Sequence, residues 1–334
     1  MPVLLDCDTG IDDALALLHL AALARGRAPV ARPVGVVCTA GNVSLADTLR
    51  NTLAWLDLAG APEVPVCAGA AEPVDRPHPL TPETHGPRGT GHARLPEPTR
   101  AADPREGAEL WVEAARAHPG ELVAVLTGPA STVAGALELE PRLPGLLGRL
   151  VVMGGSFRGH RGNTTEVAEW NVHVDPEAAD AVCLAWDRAR AADPGVAPVL
   201  WCGLDVTERA VLRPEALDRL PRTETADLLR EALRFYFEFH RSVGEGYLAQ
   251  VHDPLVLHVA LGLVGARTTP ASVRVECAGT LTRGMTVART RGDRGAAGAE
   301  LLTGVGHPRG AVGVVEDVLD SVVGVLGGAG SAAG

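Results

Sequence analysis

The sequence predicts an α/β protein: a mainly parallel open sheet with helices on both faces, folded as a single domain over residues 1–326 with a flexible tail at 327–334. Three observations carry this expectation. Short apolar runs alternate with amphipathic, alanine- and leucine-rich segments, the order of a sheet built from strand–helix units. At 46% hydrophobic and 21% charged, the 334 residues can bury a large core and still present an ordinary soluble surface. No internal repeat and no composition shift marks a second domain.

In chain order, residues 3–5 read as a buried strand and 12–24 as the first helix, followed by a strand at 34–38 and a helix at 45–59. Further strands are expected at 122–126, 150–152, 199–202 and 272–277. Helices fall between most of them, at 106–117, 131–139, 176–186, 225–240 and 254–264. Two stretches rich in glycine and polar or proline residues, 69–106 and 154–166, read as long loops, which in a compact domain are functional or disordered. Ligands of such sheets gather beyond the carboxyl ends of the strands, so any motif in a strand-to-helix loop is a candidate for the active site.

Charge and cysteine usage narrow the classes. A net charge of -11 disfavours nucleic-acid and anionic-membrane surfaces and leaves room for bound cations. All thirty basic side chains are arginine, which excludes a Schiff-base lysine and the lysine of a phosphate-binding Walker loop. The six cysteines are scattered with no Cys-x-x-Cys pair, as expected of free thiols in a reducing cytoplasm rather than of zinc ligands or disulfides. Neither a signal peptide nor a membrane span is expected.

The strongest motif is Asp6-Cys7-Asp8-Thr9-Gly10-Ile11-Asp12-Asp13, four carboxylates within eight residues between an apolar strand and a helix. Like charges this close are costly unless a cation, a helix N-terminus or protonation offsets them. Gly10 permits the sharp turn that gathers them. Helix capping accounts for one or two of the acids but not four. A hard divalent cation with oxygen ligands fits, and calcium tolerates irregular loop geometry. The loop is not an EF-hand, because the twelfth position from Asp6 is Leu17.

This motif closely resembles the N-terminal signature of the inosine–uridine-preferring nucleoside hydrolases. It also resembles the nucleophile loop of haloacid-dehalogenase-type phosphatases, in which Asp6 would attack, Asp8 would act as acid and magnesium would assist. The rest of the chain favours the first. His252-Asp253-Pro254 opens an apolar helix with proline suited to its first turn. Met153-Gly154-Gly155, Asn163 and Glu169-Trp170-Asn171 resemble the hydrolases' ribose-gripping segment, with Trp170 where that family usually has phenylalanine. Ala40-Gly41-Asn42, Leu126-Thr127-Gly128-Pro129, Gly203-Leu204-Asp205-Val206-Thr207 and Arg283-Gly284-Met285-Thr286-Val287 continue the likeness in order. A phosphatase of the rival type needs a late Asp-Asp pair and a lysine, and the chain has no lysine.

The resemblance implies a Rossmann-like nucleoside hydrolase fold and calcium-dependent cleavage of the N-glycosidic bond of ribonucleosides, releasing ribose and a free base. It implies one Ca²⁺ held by Asp8, Asp13, Asp253 and the Thr127 carbonyl, with Asp8 as general base and His252 as proton donor to the base. Asp12 and Asn171 would hold the ribose 2′- and 3′-hydroxyls, Glu169 and Asn163 the 5′-hydroxyl, and Asn42, Met153 and Trp170 would complete the grip. His85 is a candidate contact to the base, and Thr90 replaces the leucine usual in that loop. Tyr236 and Tyr247 are further candidates for contacts to the base. A homodimer or homotetramer is implied by the family alone. The readings set against it are the phosphatase and a non-catalytic protein that binds ribosides.

Overall fold

A computed structural model describes the chain except Arg27, residues 292–296 and residues 329–334. One sheet of ten strands carries the fold. The strands outside its far edge are β1 (Pro2–Cys7), β2 (Arg32–Cys38), β3 (Val66–Ala68), β4 (Asp103–Glu106), β5 (Val123–Leu126), β6 (Arg149–Met153) and β7 (Val199–Cys202). A two-residue pair, β8 (Val211–Leu212) and β9 (Ala249–Gln250), stands apart. The remaining strands are β10 (Ala266–Val275), β11 (Thr286–Arg289) and β12 (Ala299–Val305).

The sheet order is β11-β10-β12-β7-β6-β5-β1-β2-β3-β4. Every neighbouring pair from β12 to β4 is parallel, while β10 pairs antiparallel with both β12 and β11. The chain winds outward from β1 through β2, β3 and β4 on one side, then returns to β5 and winds through β6 and β7 on the other. The reversal opens a crevice at the carboxyl ends of β1 and β5, which is where such sheets bind ligands.

Strand alternation assigns each side chain of β1 to a layer. Val3, Leu5 and Cys7 face one core with α1 (Ile11–Arg25) and α2 (Leu45–Leu58). Leu4 faces the other, with α4 (Gly107–Ala117) and α5 (Ser131–Leu139), which follow the short α3 (Pro82–His85). The second layer is completed by α6 (Leu143–Leu146), α7 (Trp170–Val174) and α8 (Pro176–Ala192). The first is completed by α9 (Leu204–Thr207), α10 (Glu224–Ser242), α11 (His252–Ala260) and α12 (Gly310–Gly328), with a 3₁₀ turn at Pro214–Arg219. Helix α1 is apolar on all sides because it lies inside its layer, against α2, α10, α11 and α12.

The expected strands and helices are all present, with shifted ends. The strand expected at 272–277 is longer and antiparallel, and the helix expected at 254–264 starts two residues earlier, at His252. The stretch 69–106, read as loop throughout, contains α3 and ends in β4. Helix α12 was not anticipated: its run of valines and glycines has weak helix propensity, and only packing of Val314, Val318, Leu319 and Val322 into the core stabilises it. Gly327 and Gly328 of the expected tail belong to this helix, and the rest of the tail lies outside the described residues. Among the described residues no helix is long and apolar enough to cross a membrane, and the six cysteines are free.

Candidate active site

Strand β1 ends at Cys7 and delivers Asp8, Thr9 and Gly10 into the crevice before α1 begins at Ile11. Two helix N-termini converge there: Asp12 and Asp13 sit in the first turn of α1, and Asp253 in the first turn of α11. Their positive ends favour carboxylates in these positions. Carboxylate oxygens of Asp12, Asp13 and Asp253 all lie within 4.8 Å of one another. The closure is direct: the His252 backbone N–H donates to Asp12 Oδ2 at 3.1 Å, across 240 residues of chain.

Asp8 sits beside this trio, close enough for its charge to raise the Asp253 pKa. Its Oδ2 accepts from the Asn42 backbone N–H at 2.8 Å, and its Oδ1 is buried with no hydrogen-bond partner among the described residues. Asp13 is held by the Gly10 N–H at 2.8 Å and the Thr127 hydroxyl at 3.1 Å. Burial pushes the Asp12 carboxyl up to about 7, with the Asp13 charge adding to it. Burial likewise raises Asp13, and burial followed by repulsion from the neighbouring aspartates raises Asp8 and Asp253 well above the carboxylate range. Four buried acids and an orphaned carboxylate oxygen are the electrostatic signature of a site built for a cation.

The backbone approaches these acids closely. A methyl group on Gly41 would lie 2.0 Å from Asp8 Oδ2 and 2.7 Å from Pro129 Cδ. Gly41→Ala is therefore expected to fold, to displace Asp8 and to lower turnover by about 100-fold, checked by steady-state kinetics beside circular dichroism.

A cavity of about 400 Å³ opens above the cluster. Asp12, Asn42, Thr127 and Asp253 form its floor, while Asp8 and Asp13 back the floor through Asn42 and Thr127. One wall carries Met153, Glu169, Trp170 and Asn171, with Asn163 and Arg161 at the rim. Asn171 donates through Nδ2 to the Thr127 carbonyl at 2.8 Å, so that carbonyl already has one partner. Glu169 caps α7, accepting from the N–H groups of Gly155, Asn171 and Val172, and burial still pushes its carboxyl up to about 7. Asn163, otherwise exposed, accepts from the Trp170 N–H at 2.9 Å, which ties the 154–168 loop to the cavity edge.

The opposite wall holds the imidazoles. His252 lines the cavity, its Nδ1 2.9 Å from the Thr207 hydroxyl. His85 Nδ1 accepts from the Ile11 N–H at 3.1 Å, so Nε2 carries its hydrogen. Burial lowers both rings to about 3, so both are neutral at pH 7. Tyr236 lines the cavity beside His85, with ring centroids 5.3 Å apart. Tyr247 does not line it; it is partly exposed and packs on Phe237 and under Arg241. Thr90 turns inward to donate to the Ala93 carbonyl at 2.9 Å, so it shapes its loop rather than the cavity.

Asp6, the nucleophile of the rival phosphatase reading, is oriented away. Strand alternation carries its side chain to the second layer, where one oxygen accepts from the Thr39 hydroxyl at 2.7 Å and the other from the Trp111 indole at 2.8 Å. Neither oxygen is left free to attack a substrate.

Residues 3–316 match the family model described as inosine-uridine preferring nucleoside hydrolase. The chain belongs to this family. The nucleoside hydrolase is 36% identical over 290 residues to the pyrimidine-specific ribonucleoside hydrolase RihA of Citrobacter koseri, spanning 86% of this chain and 88% of that protein. Its RihA relative in Salmonella typhi is 35% identical over the same shares. Among solved structures it resembles the purine-preferring ribonucleoside hydrolase from Gardnerella vaginalis, with a TM-score of 0.87 and 28% identity over 98% of this chain and 99% of that one. A structure titled inosine-guanosine nucleoside hydrolase shares the fold, with a TM-score of 0.81 at 22% identity over 97% of this chain and 98% of that one. The nucleoside hydrolase is accordingly an enzyme that cleaves N-glycosyl bonds of ribonucleosides.

No motif in the sequence marks several of the hydrolase's cavity residues, among them Glu208, Phe239, His240, Glu245 and Gln250. Tyr236 and His240 stand four residues apart on the buried face of α10, a spacing that in the sequence is indistinguishable from core packing.

Proposed function

We propose that the enzyme hydrolyses ribonucleosides with the help of one calcium ion at the aspartate cluster, in the service of nucleoside salvage. The observation that carries this reading is the buried Asp8 Oδ1, left without a partner beside three more buried aspartates drawn from both ends of the chain. Asp8, Asp13, Asp253 and the Thr127 carbonyl are the residues that would hold the ion, with Asp12 close enough to share it. An all-oxygen donor set on loops and helix ends suits calcium. When bound, the ion would offset the mutual repulsion of the acids and make water easier to deprotonate.

Asp8 takes the proton of the attacking water as general base. Asp12 and Asn171 hold the 2′- and 3′-hydroxyls, while Glu169 and Asn163 hold the 5′-hydroxyl as the sugar gains oxocarbenium character. Asn42, Met153 and Trp170 fix the ribose from its sides, and His85 offers its Nε2–H to the base. His252, oriented by Thr207, donates to the departing base. Because its ring is neutral when free, it acts as a hydrogen-bond donor to the base, a bond that strengthens as negative charge develops there, so the benefit is greatest for poor leaving groups.

His252→Ala is therefore expected to slow inosine hydrolysis by about 100-fold or more while sparing p-nitrophenyl riboside, whose leaving group needs no proton. Equal slowing of the two substrates would remove His252 from this role. The reading as a whole is tested with a panel of purine and pyrimidine nucleosides, assayed with calcium and with EDTA. Base release abolished by EDTA and restored by calcium is expected; release unaffected by EDTA would sink the metal dependence. The free thiols fit a cytoplasmic enzyme. A homodimer or homotetramer is the proposed assembly, measured by light scattering.

A further inference from the structure

One part of the cavity wall is not needed for ribose or metal. Helix α10 ends in a Schellman turn: the Glu245 N–H donates to the His240 carbonyl at 3.0 Å and the Gly244 N–H to the Arg241 carbonyl at 3.2 Å. Gly244, at φ +86°, supplies the left-handed residue that folds the chain back. The turn places the Glu245 carboxylate against the His240 ring, and both line the cavity with Tyr236 and Phe239. His240 is packed edge-on against Tyr236 and Phe239, at ring centroid distances of 4.5 and 5.2 Å.

The hydrogen positions follow from the partners. His240 Nδ1 lies 2.8 Å from the Tyr236 carbonyl, which can only accept, so Nδ1 carries the hydrogen. Burial lowers the pKa of the ring and keeps it neutral, so Nε2 is a bare acceptor. Glu245 Oε1 is taken by Arg161 at 2.8 Å, while Oε2 faces His240 Nε2 at 4.0 Å. Two acceptors thus stand opposed with no hydrogen between them. An amino group, with two hydrogens on one nitrogen, can donate to both; a carbonyl in the same place meets two lone pairs.

We propose that His240 Nε2 and Glu245 Oε2 form a base-reading edge that selects nucleobases bearing an exocyclic amino group. The inference rests on the reading of this cavity as a ribonucleoside site. It adds which chemistry of the base the site rewards. Arg161 acts as a positioning residue, holding Glu245 from the far side and linking the 154–168 loop to the end of α10.

Cytidine and uridine isolate the point, because they differ only by an amino group against a carbonyl at position 4, with the matching change at N3. The wild-type enzyme is expected to favour cytidine over uridine in kcat/KM by about tenfold or more, given the cost of setting a carbonyl against the buried His240 acceptor and the half-buried Glu245 carboxylate. Glu245→Gln, which can turn an N–H toward a carbonyl, is expected to bring that ratio to unity or below. A wild-type enzyme that hydrolyses p-nitrophenyl riboside and treats cytidine and uridine alike overturns the base-reading edge. So does a Glu245→Gln variant, folded by circular dichroism, that keeps the wild-type ratio. If p-nitrophenyl riboside and every nucleoside are left intact by the calcium-loaded wild type, the riboside reading itself fails and this inference with it.

Discussion

Replacing Asp8 with alanine is expected to lower kcat by about 1,000-fold or more, the scale of losing a general base, and to weaken calcium binding in the same variant. The coupling is the informative part. Asp8 sits where its unpartnered oxygen could serve the ion and its proton affinity is already raised by burial and by Asp13, so one side chain is expected to answer for both functions. Because the charged form of Asp8 is disfavoured in the metal-free fold, Asp8→Asn should not lower the melting temperature measured in EDTA. It should instead abolish the additional stability that calcium confers. Kinetics, calcium titration calorimetry and melting curves on the two variants read the three effects separately. Turnover within tenfold of wild type in Asp8→Ala would remove Asp8 from the chemistry.

A second large effect is expected in the pH dependence of stability. Asp12 and Glu169 have folded-state pKa values raised to about 7, and Asp8 and Asp253 are raised further, all chiefly by burial. A carboxyl raised in the folded state favours folding when protonated. That contribution is fully present below the unfolded carboxyl range and is lost as pH rises through the folded value. In EDTA the melting temperature should therefore fall between pH 5 and pH 8. Calcium binds the deprotonated carboxylates, so its stabilisation should grow over the same interval. At pH 8 with calcium at 100 times its dissociation constant, about 2.7 kcal/mol is expected, roughly 4 °C for a chain of this size. A calcium-induced shift as large at pH 5 as at pH 8 would mean that the aspartate cluster is not where the ion acts.

Much of the site was legible in one dimension because its chemistry is carried by short, unusual strings. Four acids after an apolar strand, or histidine and aspartate before Pro254, are too costly to be incidental loop polarity, and each falls at a strand end or a helix start. The strand–helix alternation likewise announced a parallel sheet, since its buried strands are continuous apolar runs. Helix α12 and the antiparallel edge of β10, β11 and β12 escaped because their residues have weak intrinsic preference and are stabilised by packing against distant parts of the chain.

What the sequence by itself determined is therefore the inventory: which acids, amides and imidazoles are available, and that they lie where strands meet helices. Only the tertiary structure decided their roles relative to one another. It sent Asp6 to Trp111 and Thr39, on the second-layer face of β1, while holding Asp8 beside the cavity floor, because the strand ends at Cys7 and the turn that follows redirects Asp8 into the crevice. It brought Asp253 against Asp12 and Asp13, because β1 and β5 are neighbours at the point where the winding reverses and α1 and α11 direct their N-termini into the same crevice. It also turned Glu245 back onto His240 through a left-handed glycine. Distances between such groups are set by how whole elements pack, and no local string of residues encodes them.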